Sequence, residues 1–280
     1  MTNYEGDERE WLEPDGLGGF AMGTVSGVRT RRYHGLLLTA ATPPTGRMML
    51  VNGFDAWVET PGGRYAISSQ RYASGGEGGD GSGVVHPDGA SRIESFIDEP
   101  WPTWTFRLED GTRITQEIVA LHGESAVIVT WRLLAGPDAT ASAEGAEGTA
   151  TASAPMARVI LRPFLSGRDY HSTHHENGSL RADADRAGGP NGGAVVVWRP
   201  YAGVPAIVSC ANARYDHQPD WYRRFSYTAE RARGLDDTED LWTPGWLTWE
   251  LESPEAVAIW HLRAETAPCL LYTSPSPRDS

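Results

Sequence analysis

Three stretches of this chain concentrate side chains that can hydrogen-bond, stack or ionise. Thr30-Arg31-Arg32-Tyr33-His34-Gly35 sets two guanidiniums, a phenol and an imidazole side by side, a set able to hold the hydroxyls of a neutral polyol or a partner's carboxylate. On a strand, Arg31 and Tyr33 would face one way and Arg32 and His34 the other, so one pocket could take all four only across a bulge. The alternative is one pair satisfied in the interior and one exposed. Gly167-Arg168-Asp169-Tyr170-His171-Ser172-Thr173-His174-His175 gathers three histidines beside an aspartate. Adjacent histidines chelate one ion poorly and no further ligands are defined, which favours a polar loop near a sugar or a domain interface over a metal centre. The third stretch, Trp221-Tyr222-Arg223-Arg224-Phe225 with Tyr227, Glu230, Arg231, Arg233 and then Glu239-Asp240-Leu241-Trp242, interleaves flat rings with charges. That composition suits the C–H face and hydroxyl rim of a pyranose, and also a protein interface, the preferred reading.

The opening block, Glu10-Trp11-Leu12-Glu13-Pro14-Asp15-Gly16-Leu17-Gly18-Gly19-Phe20, reads as a glycine-rich bend feeding a strand. A phosphate loop is disfavoured, because position 21 is Ala, no strand is read before the glycines and no helical pattern follows them. Glycosidic cleavage would need two carboxyls held across the scissile bond. The candidates are Asp98 with Glu99, Asp169, Glu230 and the run Asp236, Asp237, Glu239, Asp240; adjacent acids in short loops are mostly solvated surface.

The elements that must position these groups are strands. Apolar runs are short, rich in Val, Ile, Trp, Tyr and Phe, and broken by Gly, Pro and Asp clusters, while helical periodicity is nearly absent. This predicts an all-β fold, a large antiparallel β-sandwich with long loops and little helix. Residues 104–108, an Asp110-Gly111 turn and residues 113–118 read as a hairpin. Residues 126–134, apolar almost throughout, are expected to form a central strand covered on both faces. Further strands are expected over 157–165, 194–198, 204–210, 247–251 and 256–262, with a helical turn near 238–241. Residues 76–83 and 136–155 are too poor in apolar groups to order themselves and read as insertions within one domain spanning 1–268.

Lys is absent, so all 24 cationic residues are Arg, set against 37 acids for a formal charge of -13. Such a chain lacks the basic footprint of nucleic-acid binding and favours a neutral or cationic ligand, which a neutral glycan satisfies. No stretch nears the roughly 20 apolar residues of a membrane span, and the start lacks the basic-then-apolar order of a signal peptide. With two lone cysteines, Cys210 and Cys269, this predicts a cytoplasmic protein without membrane partners. No pattern calls for a cofactor. The string from Cys269 to Asp279 matches, codon by codon, a translated transposon-end sequencing adapter. Residues 269–280 are therefore read as non-native, and the chain as cut off after Pro268.

The blocks EWL-x-x-DGLGGF-x-x-GTVSG-x-x-TRRYHGLL, GRDYHS and WYRRF-x-Y-x-x-E-x-x-RGLD-x-x-EDLW-x-PG together resemble the N-terminal domain of bacterial and archaeal glycogen debranching enzymes, over residues 9 to about 268. The resemblance implies a sandwich of the supersandwich kind preceding an (α/α) barrel that holds amylo-α-1,6-glucosidase chemistry, with or without 4-α-glucanotransferase activity. It implies a branched α-glucan substrate, glycogen or its limit dextrin, and places the catalytic glutamates beyond Pro268, so no catalytic residue is assigned here. Substrate or domain-interface roles are expected of Arg31, Arg32, Tyr33, His34, Asp169, Tyr170, His171, Trp221, Tyr222, Glu230, Arg233, Glu239 and Asp240. Two other classes stay open: an independent carbohydrate-binding module, and a self-sufficient hydrolase built on Asp169 or Glu230.

Overall fold

The computed structural model describes residues 9–74, 83–134, 156–189 and 192–265. Its strands begin with β1 (Glu10–Pro14), β2 (Phe20–Thr24), β3 (Gly35–Thr42), β4 (Thr45–Thr60), β5 (Gly63–Ala66) and β6 (Ser69–Tyr72). The middle of the chain adds β7 (Val84–Asp88), β8 (Ile93–Ile97), β9 (Thr103–Arg107), β10 (Arg113–Ala120), β11 (Ala126–Leu134) and β12 (Ala157–Asp169). There follow β13 (Ala184–Gly188), β14 (Ala194–Trp198), β15 (Ala206–Ala211), β16 (Arg214–Ser226), the single turn of helix α1 (Thr228–Arg231), β17 (Thr238–Leu251) and β18 (Val257–Glu265). One sheet has 10 strands in the order β1-β2-β3-β4-β12-β17-β16-β6-β7, with β5 on β4; the other has eight, β13-β14-β15-β18-β11-β10-β9-β8. All pairings are antiparallel, and the all-β sandwich is as predicted.

Tryptophans fill the space between the sheets. Trp131 and Trp260 of the smaller sheet meet Phe54 edge-on at 5.7 and 6.0 Å, and Trp131 also meets Trp249 at 5.5 Å. Buried indoles need an acceptor, and three find one in the core: Trp104 reaches Val25 O at 2.8 Å, Trp131 reaches Gln116 Oε1 at 3.0 Å and Trp260 reaches Ser209 Oγ at 2.9 Å. The expected hairpin forms, with Arg107 opposite Arg113 across β9 and β10 and Gly111 at φ 86°.

Two expectations are corrected. β11 is central, between β10 and β18, but only one of its faces is covered. Val127, Val129, Trp131 and Leu133 are buried, whereas Ile128 and Thr130 are partly exposed and Arg132 is exposed. Its continuous apolar spelling arises because Ile128 and Leu134 sit on the more open face. The helical turn expected near Thr238 is strand: Glu239 and Leu241 are buried while Thr238 and Asp240 are partly exposed, a period of two set by pairing with β16. The helical turn falls earlier, at α1. The 136–155 insertion, the 76–83 insertion apart from Gly83, and the 269–280 tail lie outside the described residues. Among the described residues no helix is long and apolar enough to cross a membrane.

The larger sheet turns back over its own outer face. Ile67 N–H donates to Ala56 O at 2.9 Å and Gln70 Nε2 to Phe54 O at 3.0 Å, tying the start of β6 to β4. Beneath this fold-over lies a second, small core of Phe164, Phe225 and Leu241, edged by Tyr72 and Tyr222.

Candidate functional site

The blocks singled out in the sequence converge at one end of the sandwich. Residues 31–34 form a turn, closed by His34 N–H to Arg31 O at 3.1 Å, and not a strand, so the expected alternation does not apply. Arg31 Nε and His34 Nε2 both reach Glu10 Oε1, at 2.6 and 3.1 Å, which opposite faces of a strand would forbid. His34 Nδ1 accepts the Thr30 N–H at 3.1 Å, so in the neutral imidazole the proton sits on Nε2 and is donated to Glu10. Burial pushes His34 down to about 4, against the upward pull of Glu10. The glycine-rich bend feeds a strand, β2, as expected, but β1 precedes it where no strand was read; Asp15 Oδ1 accepts Leu17 N–H and Gly19 N–H at 2.7 and 2.9 Å within it. With a strand following, the bend has no helix N-terminus to offer a phosphate.

Behind the turn lies a buried ionic network. Glu239, fully buried, accepts from Arg168 Nε at 2.8 Å, His174 N–H at 3.2 Å, Asn52 Nδ2 at 3.0 Å and the Tyr227 hydroxyl. Burial, reinforced by the Glu239 charge, pushes the Tyr227 phenol up, so it stays a donor. Burial works against the Arg168 charge, but Glu239 and Tyr227 outweigh it and raise the guanidinium further. Arg168 also donates to Arg32 O at 2.7 Å, joining the second block to the first. Glu230, also fully buried, accepts Arg32 N–H at 3.3 Å and lies 3.8 Å from Arg32 Nε, joining the third. Backbone bonds complete the assembly, from Ala229 N to Thr30 O at 3.0 Å and from Asp240 N to His174 O at 2.7 Å.

On this base sits an aromatic surface. Tyr33 OH bonds His171 Nδ1 at 3.1 Å, and the Tyr170 ring lies 3.9 Å from His171 and 5.7 Å from Tyr33. His171 is exposed, and both tyrosines are partly so. Trp221 stacks on His174 at 5.3 Å and 28°, while Arg233 lies in the turn after α1 with half its side chain exposed. The expected residues therefore split. Tyr33, Tyr170, His171, Trp221 and Arg233 reach the surface; Glu230, Glu239 and His34 lie inside it. Asp169 accepts His171 N–H at 2.8 Å, and Asp240 accepts Arg224 and Glu176 N–H at 2.9 and 3.1 Å. Tyr222 belongs to the second core, where it bonds Arg162.

Two buried polar residues carried no signal in the sequence. Asn52, which bonds Glu239, and Asp55, which pairs with Arg162, are isolated polar residues in apolar surroundings whose partners are remote in sequence, whereas Tyr227, which also bonds Glu239, stood within the third stretch. Among the described residues no group of three or more His, Cys, Asp or Glu is gathered where it could hold a metal ion. A cavity of about 90 Å³ opens between the sheets, lined by Trp11, Ile67, Trp104 and Ile118 with Arg29 and Asn52.

Fold and site define an all-β sandwich domain whose polar end is aromatic outside and ion-paired beneath. The chain matches the family described as glycogen debranching enzyme N terminal over residues 9–258, and it belongs to that family. No curated protein matches it.

Proposed function

We propose that this domain is a non-catalytic part of a glycogen debranching enzyme, and that its polar end contacts the (α/α)-barrel catalytic domain and the glucan held there. The whole enzyme would hydrolyse α-1,6 branch points of glycogen limit dextrin in the cytoplasm, with or without 4-α-glucanotransferase activity. One observation carries the reading. The acids that converge, Asp169, Glu230, Glu239 and Asp240, are all engaged in holding backbone or guanidinium groups, whereas acid–base cleavage needs carboxyls free to exchange protons with substrate. The rings they support stand at the surface, as a contact face requires. The test is glucose release from limit dextrin. The chain alone should release none, and Tyr33→Ala with His171→Ala in a full-length enzyme should lower kcat/KM while leaving the urea midpoint unchanged. Glucose release by the chain alone, abolished by Asp169→Asn, would instead establish a hydrolase in the sandwich.

A further inference from the structure

The outer face of the larger sheet carries a second aromatic surface. Alternation sends Ala56, Val58, Leu247 and Trp249 into the core between the sheets, and Trp57, Ile160 and Trp246, all partly exposed, to the opposite face. The Trp57 and Trp246 rings lie 5.7 Å apart, inclined at 44°. The Arg162 guanidinium is set among them, 5.4 Å from Trp57, 4.9 Å from Trp246 and 3.8 Å from the partly exposed Tyr222. Arg162 pairs with Asp55, which is fully buried and whose Oδ1 has no hydrogen-bond partner. Around the rim, charges are matched. Arg158 bridges Glu59 and Glu250 at 3.2 and 2.7 Å, and Arg64, over the Trp57 ring at 4.8 Å, is 3.8 Å from Glu59.

We infer that this face binds a neutral α-linked glucan chain. Aromatic rings take the C–H faces of pyranoses, and a patch of matched charges draws neither polyanions nor polycations. The axial α-1,4 link turns successive sugar rings out of a common plane, whereas a β-1,4 chain is a flat ribbon. Two indoles inclined at 44° follow the turning chain better than the flat one. Arg64, with 46% of its side chain exposed, is free to move off Trp57 and donate to sugar hydroxyls. Resting on the glucan reading above, the site would add a second foothold: glycogen presents many outer chains, and holding one raises the local concentration of its branch points.

The experiment titrates the 280-residue chain with maltoheptaose and cellohexaose, followed by calorimetry and tryptophan fluorescence. Maltoheptaose should bind and cellohexaose should not. Trp57→Ala and Trp246→Ala should each weaken binding by about tenfold or more, while Ile259→Ala, exposed on β18 of the smaller sheet, leaves it unchanged. Trp57→Tyr and Trp246→Phe, which keep a flat ring and fill the space, should retain binding, separating a lost contact from a lost fold. Equal binding of both sugars, or unaltered binding in Trp57→Ala and Trp246→Ala, overturns the inference. Loss confined to the Tyr33 and His171 variant overturns this site while keeping the glucan reading. Absence of binding to either sugar overturns the site and leaves the non-catalytic reading to its own glucose-release test.

Discussion

Arg168→Met removes the guanidinium that neutralises Glu239 while keeping much of the side chain's length and apolar bulk. The Arg168 side chain is 4% exposed and that of Glu239 0%, so water cannot take over the lost role. Breaking one partner of a buried ion pair costs about 3–5 kcal/mol, because the remaining charge is left uncompensated. Asn52, Tyr227 and the His174 N–H still donate to Glu239, which places the cost near the lower end, about 3 kcal/mol. The carbonyls of Arg32, Asp169 and Tyr170, which Arg168 also binds, belong to residues that are partly or fully exposed and so within water's reach, and add little. A domain of this kind is stable by about 5–15 kcal/mol, so the loss should appear as a large fall in the urea midpoint at unchanged slope. Adding Glu239→Gln discharges the stranded carboxylate, and the double variant should be about 1–2 kcal/mol more stable than the sum of the two single losses. A loss below about 1 kcal/mol for Arg168→Met, or strictly additive losses in the double variant, would refute the claim that this pair organises the site.

Two further outcomes are expected. Stability should fall with acid: the folded pKa of His34, about 4, lies below the ordinary 6.5, so between these values the unfolded chain binds the extra proton. The stabilisation is complete above about 6.5 and is lost as pH falls toward 4, by at most about 3 kcal/mol. Burial pushes Glu10 up, but Arg31 and His34 outweigh it and hold it low, which adds a loss of the same sign at lower pH. Urea midpoints at neutral and acid pH measure this, and His34→Gln should flatten the dependence; an unchanged slope in that variant would assign the effect elsewhere. Gly245 has φ 138°, and a Cβ there would meet the Asp216 carbonyl and lie 2.6 Å from Gln218 N, beside the β16 irregularity between His217 and Asp220. Gly245→Ala should therefore cost about 1–3 kcal/mol, read as a lowered Tm, and an unchanged Tm would contradict the strain argument.

Strand positions were legible because they depend on neighbours one and two residues apart. The β9–β10 hairpin, β11 and β14 fall where alternation and turn residues put them. The polar blocks were also legible, since the resemblance rests on their order along the chain. Which of their side chains reach solvent was not, because that depends on partners remote in sequence. Glu239 is buried by its bonds to Asn52 and Arg168, 187 and 71 residues away, and Glu230 by Arg32, 198 residues away. Local composition marked Glu230 and Glu239 as contact residues, and packing made them supports. Nor could spacing show that residues 31–34 turn, since Glu10 draws Arg31 and His34 to one side from a different strand. The sequence by itself determined the strands and the family. The tertiary structure alone decided which charges neutralise one another, because a buried charge is stable only beside a partner, and the chain's topology chooses that partner.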